Sequence, residues 1–178
     1  MTSTPPTAVP AVSVVMPVYN AAGTLTRAAG SVLAQSFSDL ELILVDDGSA
    51  DESAARAEAL DDPRVKTIRF AANQGAAAAR NAGVAAARAP LIAFHDADDV
   101  WVFDKLERQL ARLAAAPEAV AVYTGALFYD LVPEPRYAAR RRVLRRPEGA
   151  PVLSGDLHAQ VIAGNLFNLP TLLLRRAA

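Results

Sequence analysis

From Val12 to Phe128, apolar β-branched runs alternate with segments whose apolar positions recur at helical spacing. Val12 to Tyr19 (VSVVMPVY) has strand length and is almost uniformly apolar, the pattern of a strand covered on both faces. Gly23 and Thr24 interrupt it, and Leu25, Ala28, Ala29, Val32 and Leu33 then mark one face of a helix. Leu40 to Val45 (LELILV) predicts a second buried strand that ends abruptly in Asp46-Asp47-Gly48-Ser49. Ser49 with Glu52 three residues later reads as a capping box opening the next helix. Val65 to Phe70 predicts a third strand, and Gly75 to Ala87 an Ala-rich helix that stops before Pro90. Leu91 to His95 predicts a fourth strand ending in Asp96-Ala97-Asp98-Asp99, and Val102 to Ala115 an amphipathic helix with Leu106, Leu110 and Leu113 on one side. Ala119 to Phe128 predicts a fifth strand. Repeated strand–helix alternation implies an α/β fold, a mostly parallel sheet flanked by helices.

Beyond Phe128 the pattern weakens. Pro133, Pro135 and a basic stretch from Arg136 to Arg146 separate the repeating part from a short helical pattern at Asp156 to Ala163 and a short strand at Thr171 to Leu174. The expected organisation is a disordered tail over residues 1–10, a ligand-binding domain over 11–128, and the start of a second region over 129–178 that reads as incomplete.

Composition narrows the picture modestly. Apolar residues make up 52% of the chain and charged residues 21%, an ordinary globular balance. The formal net charge of -1 gives no general attraction to nucleic acid. With no cysteine there is neither a disulfide framework nor a thiolate metal site, which fits a reducing compartment. No apolar run approaches the roughly 20 residues that cross a bilayer, and the first ten residues lack the make-up of a signal peptide.

The acids change the picture most. In open α/β sheets ligands sit beyond the carboxyl ends of the strands, and both acidic clusters fall there, Asp46-Asp47 after the second strand and Asp96, Asp98 and Asp99 after the fourth. Like charges crowded on one edge raise each other's pKa, and a bound cation relieves the repulsion. Hard oxygen donors without cysteine or paired histidine favour Mg²⁺ or Mn²⁺, metals that keep open positions for a diphosphate. Taken singly, DDGS is also an ordinary strand-to-helix turn and DADD a solvated loop near a helix start. Their joint placement on one sheet edge carries the ligand-binding reading.

The pieces PVYN (17–20), VDDGS (45–49), NQGAAAARNAG (73–83), FHDADDVW (94–101) and DKLERQ (104–109) follow one another in an order and spacing that resembles the family 2 glycosyltransferases, inverting enzymes of the GT-A fold. The resemblance implies a nucleoside-diphosphate sugar held at the strand ends. Pro17, Val18 and Tyr19 would then line the base pocket, Asp46 would accept a hydrogen bond from the base edge, and Asp47 would support that loop. Arg80 would approach the nucleotide, Asp96 would meet the ribose or the metal shell, and Asp98, assisted or replaced by Asp99, would ligate Mn²⁺ or Mg²⁺ bridging the phosphates. The implied activity is sugar transfer to a hydroxyl acceptor, a saccharide or lipid-linked saccharide, in cell-envelope polysaccharide synthesis. A cytoplasmic protein is expected, with the arginines around Arg140 either meeting anionic lipid at the inner membrane face or forming a solvated loop.

Several neighbouring residues read as structural. Asn73 and Gly75 suit a turn, Trp101 and Phe103 suit packing at the helix start, and His95 suits a buried, hydrogen-bonded role or a sugar contact. An inverting transfer needs a general base, and by resemblance an acidic pair should follow the segment resembling Asn165 to Arg176. The chain ends before it, so a truncated chain, a catalytically incomplete nucleotide-sugar-binding module and an unusual base such as Asp156 are the alternatives. A dehydrogenase would need a Gly-rich loop where PVYNAAG stands, a sugar nucleotidyltransferase a Gly-rich basic loop there, and a receiver domain acids at Tyr19 and Asn20.

Overall fold

The computed structural model describes residues 9–125 and 169–176. The apolar runs become strands β1 (Val12–Val18), β2 (Leu40–Asp46), β3 (Val65–Arg69) and β4 (Leu91–Phe94), joined by helices α1 (Leu25–Leu33), α2 (Ser53–Glu58) and α3 (Ala76–Ala86). Helix α4 (Lys105–Ala114), strand β5 (Ala121–Tyr123), a 3₁₀ turn at Leu169–Thr171 and strand β6 (Leu172–Arg175) complete the described chain.

The six strands form one sheet in the order β3-β2-β1-β4-β6-β5. β1 pairs in parallel with both β2 and β4, and β2 in parallel with β3. The expected mostly parallel α/β sheet is therefore present, with one departure: β6 runs antiparallel between β4 and β5. The chain steps outward from β1 to β2 to β3, then returns past β1 to form β4. A right-handed crossover puts the returning helix on the opposite face. Accordingly, α3 packs with Val15, Ile43, Val45 and Ile92 on one face, while α1, Ala57 of α2 and Leu106 of α4 pack with Val14, Met16, Leu42 and Leu44 on the other. This explains why β1 and β2 read as continuous apolar runs. Gly83 lets α3 approach closely, since a Cβ there would lie 2.3 Å from Cγ1 of Val15.

Four local expectations are corrected. Ser49 and Glu52 form no capping box: α2 starts at Ser53, and the Ser49 hydroxyl accepts the Asn20 N–H instead. Asp51 takes over the turn, accepting from the Ser53 N–H and hydroxyl. Helix α4 begins at Lys105 rather than Val102, because residues 102–104 form a turn whose Val102 carbonyl accepts from Lys105 N–H. Phe103 is exposed and packs nothing at the helix start, whereas Trp101 is buried as expected. Strand β5 is three residues long where ten were expected, and residues 126–128 of that span lie outside the described residues. So do the first eight residues, the basic stretch Arg136 to Arg146 and the helix expected at Asp156 to Ala163.

Candidate functional site

The direction of strand progression reverses at β1 and β4, and a crevice opens beyond the carboxyl ends of neighbouring strands at such a reversal. A cavity of about 490 Å³ lies there. Pro17, Val18, Tyr19 and Asn20 form the wall that follows β1, Asp47 the wall after β2, and Asp96, Ala97 and Asp98 the wall after β4, with Arg80 of α3 reaching across.

Two hydrogen-bonded loops shape this cavity. Asn20 adopts a left-handed backbone (φ 49), which Asn tolerates better than most residues. Its amide donates to Ser49 Oγ at 3.0 Å and its side-chain oxygen accepts the Ala50 N–H at 2.9 Å. Ala21 N–H donates to Ser53 Oγ and Ala22 N–H to Asp51, so the loop after β1 is joined to the loop after β2. On the other side, Asp47 accepts the Gln74 and Gly75 N–H groups at 2.7 and 2.9 Å, fixing the entry to α3. Gly48 (φ 69) permits this contact, since its missing Cβ leaves room for the backbone of Ala72 and Asn73.

The two adjacent aspartates are thus placed in the reverse of the expected order. Asp47 lines the cavity. Asp46, at the end of β2, is 0% exposed and accepts the Ser49 N–H at 3.1 Å, with Arg69 Nε 3.3 Å from its other oxygen in poor hydrogen-bond geometry. It holds the turn and forms no part of the cavity wall, because consecutive residues at a strand end project oppositely.

Arg80, expected to approach a nucleotide, lines the cavity and donates to Asp96 at 2.7 Å across it. Its Nε is buried without a partner, an unmet donor beside the cavity. Asp98 is exposed on the cavity rim and has no hydrogen bond or ion pair among the described residues. Asp99 lies behind it, outside the cavity wall, with its carboxyl pushed up to about 6 by burial and by the charges of Asp98 and Asp96. That convergence of negative charge on hard oxygen donors fits a divalent cation of the Mg²⁺ or Mn²⁺ kind. No group of three ligating side chains gathers among the described residues, so ligand and water oxygens would supply most of the shell. Asn20, Thr24, Asn73 and Ala76 also line the cavity but were not expected there as ligand-facing residues. PVYN pointed to Asn20, while Asn73 was legible only as a turn former.

Behind the loop 96–99, His95 is 0% exposed, its ring 4.7 Å from that of Trp101 and its Nε2 3.4 Å from Ser31 Oγ. It is a buried residue and does not line the cavity. Burial and the charge of Lys105 lower its pKa to about 3. The unfolded chain, with a histidine near 6.5, therefore binds more protons between pH 3 and 6.5. The stabilisation contributed by neutral His95 is complete above about pH 6.5 and lost as pH falls. Lowering the pH from 7 to 5 is expected to cost up to about 2 kcal/mol through this group. Urea midpoints of wild type and His95→Leu at both pH values check it; an identical acid loss in the two would remove His95 as the source.

Fold and site together define an α/β protein with a polar, acid-lined cavity at its topological switch point. The chain belongs to glycosyl transferase family 2, whose profile matches residues 13–167. It is 45% identical over 114 residues to the succinoglycan biosynthesis protein ExoO of Rhizobium meliloti, a match covering 64% of this chain and 33% of ExoO. The matches span 31% to 41% of the length of ExoO and of two uncharacterised glycosyltransferases, from Nostoc and Haemophilus influenzae. The fold is of the GT-A type: residues 1–349 of S. aureus TarS, in complex with UDP-GlcNAc, superpose at a TM-score of 0.68 with 22% identity, covering 93% of this chain and 45% of that 1–349 chain. The mannosyltransferase PcManGT of Pyrobaculum calidifontis, in complex with GDP-Man and Mn²⁺, superposes at 0.58 with 29% identity over 74% of this chain and 38% of its own.

Proposed function

We propose that this chain binds a nucleoside-diphosphate sugar in the β1–β4 crevice, together with Mn²⁺ or Mg²⁺, as the donor side of an inverting sugar transfer to a hydroxyl acceptor. The observation that carries this reading is the convergence of Asp47, Arg80, Asp96 and Asp98 on one cavity with Tyr19 at its edge. The complexes of PcManGT with GDP-Man and Mn²⁺ and of TarS with UDP-GlcNAc support the ligand class.

Pro17, Val18 and Tyr19 offer apolar contact to the base. Each oxygen of Asp47 has a second lone pair beyond its bond to the α3 entry, and one accepts the base N–H. This role passes from Asp46, which keeps the turn in shape. Asp96 accepts from the ribose hydroxyls, and Arg80, held by Asp96 and carrying a spare N–H at Nε, faces the diphosphate. Asp98, with Asp99 close behind, would hold the cation, which neutralises charge on the departing diphosphate. In the transfer, the bond from anomeric carbon to phosphate oxygen breaks with its electron pair on the diphosphate. The acceptor oxygen bonds to the opposite face of that carbon and gives up its proton to a base.

ExoO, named for succinoglycan biosynthesis, supports a setting in polysaccharide assembly; the acceptor in this reading is a saccharide or lipid-linked saccharide of the cell envelope. No helix among the described residues is long and apolar enough to cross a membrane, and a peripheral position at the inner membrane face is part of the proposal. Calorimetric titration with UDP, GDP and dTDP, each with and without Mn²⁺, tests the donor site. Metal-dependent binding of one nucleotide is expected; binding of none would overturn the reading.

A further inference from the structure

Lys105 stands at the first position of α4 and is 5% exposed. Its ammonium donates to Gln109 Oε1 at 2.7 Å and lies 3.9 Å from the centre of the Trp101 ring, with no carboxylate in ion-pair contact among the described residues. Two costs meet at this residue. A buried charge without a counter-ion is destabilising, and the same burial pushes the ammonium pKa down to about 7. A cation at a helix N-terminus also opposes the helix dipole. A methionine would fill the same space without either.

The contacts around Lys105 supply a reason for keeping it. Trp101, under the ammonium, stacks against His95, and these two residues are the two feet of the loop that carries Asp96, Asp98 and Asp99. The Trp101 indole N–H donates to the Pro170 carbonyl at 3.1 Å, and its backbone N–H to Ser31 Oγ at 3.1 Å. Gln109, oriented by Lys105, donates to the Thr171 carbonyl at 2.8 Å. The Lys105 ammonium thus touches two side chains, Trp101 and Gln109, whose other bonds reach the chain entering β6.

We propose that Lys105 is a positioning residue which, through Trp101 and Gln109, holds the 96–99 loop so that Asp98 presents its carboxylate to the cation at the cavity rim. This rests on the donor-site reading above for its consequence, but the brace itself is a property of the unliganded protein.

The test uses the whole chain and the variants Lys105→Met, Lys105→Arg and Trp101→Phe. Lys105→Met is expected to melt close to the wild-type temperature, because losing a buried charge offsets leaving the buried Gln109 Oε1 without its donor, yet to speed hydrogen–deuterium exchange across residues 95–101 about tenfold. It is also expected to weaken nucleotide binding in Mn²⁺ about tenfold, the scale of losses from outer contacts at metal sites, while metal-free affinity stays unchanged. Lys105→Arg restores both readouts, and Trp101→Phe, which keeps a ring but loses the bond to Pro170, weakens both. Unchanged exchange in Lys105→Met overturns the proposal, as does equal weakening with and without metal. Should Lys105→Met fail to fold, Trp101→Phe carries the same two measurements, and wild-type values for it overturn the proposal. Faster exchange in a protein whose wild type binds no nucleotide would keep the brace and sink the donor-site reading instead.

Discussion

Asp98→Ala is expected to abolish the manganese dependence of nucleotide binding while leaving the fold intact. Asp98 is exposed at the rim of the cavity and bonds to nothing among the described residues, so its removal takes away no internal interaction. A substitution of that kind changes stability by no more than about 0.5 kcal/mol. The effect on the ligand is of another order. A cation in this crevice would depend on few protein oxygens, and losing the most accessible one is expected to cost about a hundredfold in metal-dependent affinity, toward the low end of the losses from truncating one partner of a charge pair. Calorimetry with and without Mn²⁺, beside a thermal melt, reads both quantities. Asp99→Asn serves as the comparison: it lies behind Asp98 and loses less. An Asp98→Ala protein that still needs manganese would take Asp98 out of the site and turn attention to Asp99.

Gly48→Ala is expected to destabilise the protein by about 2–4 kcal/mol, from the left-handed backbone and the steric overlap together. Its φ is 69, and the added Cβ would lie 2.7 Å from the Ala72 carbonyl carbon and 2.8 Å from the Asn73 nitrogen. Both are backbone atoms, so the strain cannot be relieved by turning a side chain. The 72–75 segment must move, and with it the amides that Asp47 holds at the entry to α3. Arg80 rides on that helix, so nucleotide affinity is expected to fall along with the urea midpoint. Gly30→Ala is the control. Nothing lies within 4 Å of its Cβ position, and alanine in a helix interior gains about 0.5–1 kcal/mol over glycine. A Gly48→Ala protein as stable as wild type would show that the two loops do not press on one another.

β1, β2 and β4 were legible because each is an apolar run bounded by polar turns, and burial of β1 and β2 on both faces leaves no other reading; β3, an edge strand of mixed VKTIR sequence, showed only through its β-branched residues and its spacing. The sheet edge that holds the cavity was legible for a related reason: acids in a row at a strand end are costly unless something binds them. Pairing of distant segments was not legible. β6 enters the sheet between β4 and β5 although β5 precedes it in the chain by some fifty residues, and three leucines and an arginine carry no mark of their partners. Single-residue geometry was equally hidden. Asp46 and Asp47 have the same chemistry, and only the phase of the strand end decides which one faces the crevice. Ser49 fits the capping-box pattern, but the Asn20 amide from another loop claims its hydroxyl. Phe103 follows Trp101 closely and shares its apolar character, yet the turn at 102–104 sends one outward and the other inward.

The late entry of β6 has an evolutionary consequence. Thr124 N–H donates to the Thr171 carbonyl at 3.2 Å, so the chain leaves the sheet and re-enters it through a single doorway. Every residue that lines the crevice, from Pro17 to Asp98, precedes that doorway in the chain. The whole cavity wall is therefore written in one uninterrupted stretch of sequence, which a lineage can inherit or transfer as a single block.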